Sequence, residues 1–113
     1  MTKGKVVLVP FPFDDLTGSK VRPAVCLTEP IGTHRHVVLA FITSQAPSDP
    51  VPSDVTLRPG DAGFAATGLR VVSTIRLHRL MTVTTTLILR DLGSLPPRVQ
   101  RAVESKLRAL FGL

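Results

Sequence analysis

The chain has 113 residues, 43% apolar and 4% aromatic, and its 14 Lys and Arg against 8 Asp and Glu leave a net charge of +6. This length suits a single domain, residues 1–113, and no apolar run approaches the roughly 18 residues of a membrane-spanning helix. One cysteine, Cys26, excludes an internal disulfide or a cysteine-based zinc site, while the basic balance suits a polyanion, either nucleic acid or an acidic protein segment.

Along the chain, Val6 to Val9 is β-branched and apolar and is expected to form a first strand, stopped by Pro10 and Pro12, which lack a ladder donor. The opening stretch "MTKGKVVLVPFPF" is too short in apolar residues for a signal peptide, so a cytoplasmic location is expected. A loop follows, with Thr17-Gly18-Ser19 as its turn signal. Ala24 to Leu27 is a second apolar run, in which Cys26 is expected to be a small buried hydrophobe. "HVVLAFITS", His36 to Ser44, is nearly continuous in apolar residues and predicts a strand buried on both faces.

"APSDPVPS" is a loop, Asp54 to Leu57 a short strand, and "RPGDAGFAATG" a second Gly- and Pro-rich connection. In "LRVVSTIRLHRLMTV", Ile75, Leu77 and Arg79 alternate with Thr74, Arg76 and His78, which predicts a bent or bulged strand pair. The C-terminal segment carries Val99, Val103, Leu107, Leu110 and Phe111 at helical spacing. Pro96 and Pro97 open that helix and Gly112 closes it, with Arg98, Arg101, Glu104, Lys106 and Arg108 facing away. Short strands separated by turns, with one helix packed on them, indicate a small barrel-like antiparallel sheet. Phe41 and Phe111 are assigned to the core, and Phe64 to a channel wall or a partner-covered position.

In this order, "GKVVLVPFPFDDLTGSKVRPAVCL", "VVLAFITSQ", "SDVTLRP", "GLRVVSTIRLHRL" and a proline-started C-terminal helix together resemble the MazF/PemK toxin family. The resemblance implies an SH3-like small antiparallel barrel with a C-terminal helix. It also implies a homodimeric, sequence-selective endoribonuclease that cleaves single-stranded RNA without a metal or other cofactor and is neutralised by an acidic antitoxin. By the same resemblance, Arg22 of the "RP" element and Thr43 of "ITSQ" are the catalytic candidates. Ser44 and Gln45 complete the second motif, and the loop Phe13 to Val21 borders the substrate channel.

The chemistry is consistent with those residue types. Attack by a neighbouring 2′-hydroxyl builds charge on a five-coordinate phosphorus, which a planar, permanently charged guanidinium can stabilise. A hydroxyl at the end of a rigid strand can donate to a phosphate oxygen with little reorganisation. Lys20, Arg70, Arg76 and Arg79 are further phosphate-binding candidates, and Phe13 is the candidate for base stacking. For the general base, the candidates are His34, His36, His78, Asp14 and Asp15. Ser73 stands where some members of the family place an acidic residue. A non-catalytic RNA- or partner-binding module on the same barrel is the alternative function, and action on a gyrase-like protein a weaker third.

Overall fold

A computed structural model describes residues 1–11 and 20–113, Phe11 and Lys20 by backbone only. Phe13, Asp14, Asp15 and the turn expected at Thr17-Gly18-Ser19 lie outside the described residues. Six strands, β1 (Lys5–Phe11), β2 (Lys20–Cys26), β3 (His36–Thr43), β4 (Asp54–Leu57), β5 (Ser73–Thr84) and β6 (Arg90–Ser94), precede one helix, α1 (Pro97–Leu110). The sheet order is β4-β5-β3-β2-β1-β6, with antiparallel neighbours throughout. The result is a mainly antiparallel half-barrel with a C-terminal helix, in line with the expected fold class.

The central strand β3 explains why the sheet is covered on both sides. Its alternate residues Ala40 and Ile42 join Val6, Val25, Ile75 and Leu77 in one apolar cluster, while Val37, Leu39 and Phe41 join Val7, Val9, Ala24 and Cys26 in another. A continuous apolar run is what a strand needs when both its faces are buried. Helix α1 covers the first face through Val99 and Val103, with Leu107 partly buried beside them. Burial pushes the Cys26 thiol up to about 11, so it stays protonated at neutral pH.

Several expectations are corrected. Strand β1 does not stop at Val9: Pro10 pairs with Val21. Leu8 turns its carbonyl toward the β6 side, where Leu89 N–H meets it. Pro10 has the same parity, so its missing donor falls where β6 has already ended. The expected strand pair after Leu69 is one strand, β5, beginning at Ser73. Its first half lies between β3 and β4, and its ladder with β3 is broken by a bulge. Strand β6 escaped prediction because "RDLGS" has only Leu92 as a large apolar residue; it becomes a strand by pairing with β1.

Phe64 is buried in the first cluster, in a 3₁₀ turn at Phe64–Thr67, rather than lining a channel. That turn packs on β6 through two glycines: a Cβ on Gly68 would collide with the Leu92 carbonyl, and one on Gly93 with the Ala66 carbonyl. Phe111 is 59% exposed, because the last turn of α1 runs beyond the cluster that Val99 and Val103 fill. Lys106 does not face away; its Nζ donates to the carbonyls of Pro52 and Asp54 at 2.9 and 3.0 Å.

Candidate functional site

The register of the sheet brings Arg22 and Thr43 together. Ala24 pairs with Phe41 as the last pair of the β2–β3 ladder, each candidate lies two residues beyond that pair, and both line one cleft. Two residues is also one period of a strand, so both point to the face that carries Ala24 and Phe41. On the next strand Phe41 pairs with Arg76, and Arg76 with Asp54. These positions therefore form rows on one sheet face, the face opposite α1.

The bulge adds a further arginine. In regular alternation, Arg76 and Arg79 would point to opposite faces, as expected from the sequence. The ladder instead passes from Phe41↔Arg76 to Ala40↔Leu80, leaving Leu77, His78 and Arg79 as extra residues. Such an insertion resets which side chains face which way. Leu77 remains in the first cluster, while the Arg79 guanidinium lies over the Phe41 ring, 4.7 Å from its centroid, on the cleft side.

A cleft of about 540 Å³ results, lined by Arg22, Thr43, Gln45, Asp49, Arg76 and Arg79, with Phe41 and Ile42 at its base and residues 46–48 along one wall. Among the described residues its charge comes from three guanidiniums and one carboxylate. Arg76 is the most constrained of them, with a side chain only 12% exposed. Its Nε donates to Asp54 Oδ1 at 3.0 Å, and its Nη1 and Nη2 reach Asp49 Oδ1 and Asp49 O at 3.4 and 3.2 Å. Asp54 Oδ2 in turn accepts Val51 N–H at 3.0 Å. Arg76 thus ties down the wall-forming loop, a constraint that limits its reach toward an added phosphate.

Thr43 ends β3 in a local turn. Its Oγ1 accepts Gln45 N–H at 3.2 Å and donates to Gln45 O across 3.5 Å, the outer limit for a hydrogen bond. The first contact fixes the hydroxyl oxygen; the second is weak enough for an anionic acceptor to replace it. Gln45 lines the cleft, whereas Ser44 and Arg70 are exposed and are not among its lining residues. Of Lys20 only the backbone, paired with Phe11, is described.

The three histidine candidates are not gathered there, and Asp14 and Asp15 lie outside the described residues. His34 and His36 flank the positive-φ residue Arg35, their rings 5.9 Å apart, at the start of β3. Thr43 is at the other end, seven residue steps or about 23 Å away along an extended strand. His78 lines a different groove, with Lys106 and Leu110. Ser73 is buried and donates to Val71 O at 2.9 Å. Asp49 was missed in the sequence because "APSDPVPS" has no periodicity; only the contacts with Arg76 reveal its place. Among the described residues no three His, Cys, Asp or Glu side chains cluster as metal ligands would, and no helix is long and apolar enough to cross a membrane.

A curled antiparallel sheet with a helix on one face and an arginine-rich cleft on the other defines a small half-barrel protein suited to anionic ligands. The model of the PemK-like, MazF-like toxins of type II toxin–antitoxin systems matches residues 2–111, and the chain belongs to that family. Among solved structures, it is similar to the Mycobacterium tuberculosis toxin MazF-mt6, with 20% identity, TM-score 0.72, and coverage of 96% of this chain and 97% of that one. A Deinococcus radiodurans MazE-MazF structure gives 22% identity, TM-score 0.75, and coverage of 100% and 96%. An endoribonuclease in complex with its cognate antitoxin from Mycobacterial species gives 19%, 0.70, and 100% and 96%. No curated protein sequence matched the chain significantly.

Proposed function

We propose that this chain is a sequence-selective endoribonuclease toxin. It cleaves single-stranded RNA, without a metal, by attack of a 2′-hydroxyl on the adjacent phosphorus: the P–O2′ bond forms as the P–O5′ bond breaks, leaving a cyclic phosphate on one fragment, and the 2′-hydroxyl gives up a proton while the departing 5′-oxygen takes one up. It is neutralised by an acidic antitoxin. The observation that carries the reading is that Arg22 and Thr43, each two residues beyond the Ala24–Phe41 pair, line one cleft. Arg22 stabilises the charge that develops on the phosphate oxygens, and Thr43 donates its hydroxyl proton to one of them. Similar solved structures support the assignment: one is an endoribonuclease in complex with its cognate antitoxin and another a MazE-MazF pair.

The test is incubation with single-stranded RNA and with its 2′-deoxy analogue in EDTA. Cleavage of the RNA alone is the expected result; scission of both, or of neither, would refute the mechanism. Arg22→Ala is expected to slow cleavage at least about 10²-fold with the fold retained. An acidic antitoxin is expected to compete with RNA for the cleft, and the toxin is expected to scatter light as a homodimer of the 12.2 kDa chain; failure of either would remove that element of the assignment.

The absence of the three histidines from the cleft favours one second reading, a non-catalytic RNA-binding module. It predicts salt-sensitive binding with the RNA left intact.

A further inference from the structure

Among the described residues, the cleft lining holds one acidic side chain, Asp49. In a site for a polyanion a carboxylate opposes the phosphates, so its presence calls for a different ligand group. Its setting is specific. The Asp49 side chain is 81% exposed, yet its backbone carbonyl and Oδ1 are held by Arg76, which is itself fixed by the largely buried Asp54. A carboxylate has about four acceptor positions on its two oxygens, and Arg76 takes one of them. The rest of the carboxylate is exposed along the cleft wall on an anchored backbone, and the neighbouring guanidinium offsets the repulsion that phosphates would feel.

We propose that Asp49 is a base-reading residue that accepts the N1–H and N2–H of a guanine seated in the cleft. The inference rests on the RNA-cleaving reading for its substrate class. Among the four RNA bases only guanine offers two parallel N–H donors on its Watson–Crick edge, matching the two oxygens of a carboxylate. Adenine and cytosine place a ring acceptor beside the amino group, and uracil flanks its single N–H with two carbonyls. Each of those arrangements sets a lone pair against the carboxylate. Arg22 and Thr43 would hold the backbone while Asp49 selects the base, a division of labour seen generally where phosphate contacts position and base contacts specify.

The test measures binding to short oligouridylates, 2′-O-methylated so that none can be cleaved, in which one position is uridine, inosine or guanosine. Inosine lacks the N2 amino group alone. The wild-type protein is expected to favour the guanosine oligomer over the other two by roughly tenfold. Asp49→Asn is expected to erase that preference, and Arg22→Ala to weaken all three oligomers alike. A wild-type ratio near one, or a preference that survives Asp49→Asn, would overturn the proposal. So would loss of all RNA cleavage in Asp49→Asn with the binding preference intact, since Asp49 would then serve the chemistry. A wild-type protein that cleaves nothing but keeps an Asp49-dependent guanine preference would sink the nuclease reading and support this one.

Discussion

In the proposed reaction, the Thr43 hydroxyl serves structure and chemistry together. Its oxygen is turned by Gln45 N–H, which leaves the proton directed by a weak contact that a charged acceptor can displace. Thr43→Ser keeps both the turn bond and the donor, whereas Thr43→Val removes them with little change of volume. The valine variant is therefore expected to lose about 10²- to 10³-fold in cleavage rate and about 0.5–1.5 kcal/mol in stability, with the serine variant close to wild type. Single-turnover rates and denaturant melts separate the two effects; a valine variant that cleaves normally would leave Thr43 a turn residue only. That Arg22 and Thr43 share a cleft was legible from the motifs "RPA" and "ITSQ". Asp49 was not, because its position depends on Arg76, distant in sequence, and no local pattern records such a contact.

Elements differ in legibility for a similar reason. Strands β1 to β4 announce themselves by β-branched or apolar runs bounded by Pro and Gly, and α1 by its 3–4 spacing. Strand β6 exists only through its partner: "RDLGS" pairs because β1 offers an edge. The bulge of β5 was foreseen in "LRVVSTIRLHRLMTV", but its place opposite Ala40 and Phe41, which shifts the parity of Arg79 and brings it to the cleft, was not. The contact between β6 and the Phe64–Thr67 turn is closer still, with Gly93 against the backbone of Ala66 and Thr67. Since backbone must move to admit a methyl group there, Gly93→Ala is expected to cost about 1–3 kcal/mol in a urea melt. The cleft lies on the opposite face of the sheet, across from α1, so RNA affinity of the remaining folded protein should be unchanged. A neutral melt would show that the turn and β6 give way easily.

At the scale of the molecule, the +6 charge is divided by the sheet. Arg22, Arg76 and Arg79 line the cleft, whereas Arg98, Arg101 and Arg108 belong to α1, which packs on the other face. Screening over about 8 Å at physiological salt weakens the influence of the helix charges on a ligand across the sheet. Net charge alone would credit all of them equally; geometry does not. Each phosphate neutralised on a single strand contributes about 0.7 to the slope of log affinity against log salt concentration. Arg22→Ala and Arg79→Ala are each expected to make that slope shallower by about this amount, and Arg101→Ala to leave it unchanged. Titration of a non-cleavable oligonucleotide at several salt concentrations measures all three. Equal slope changes for Arg101→Ala and Arg22→Ala would mean that RNA wraps the whole basic surface, and the cleft would lose its claim to be the RNA site.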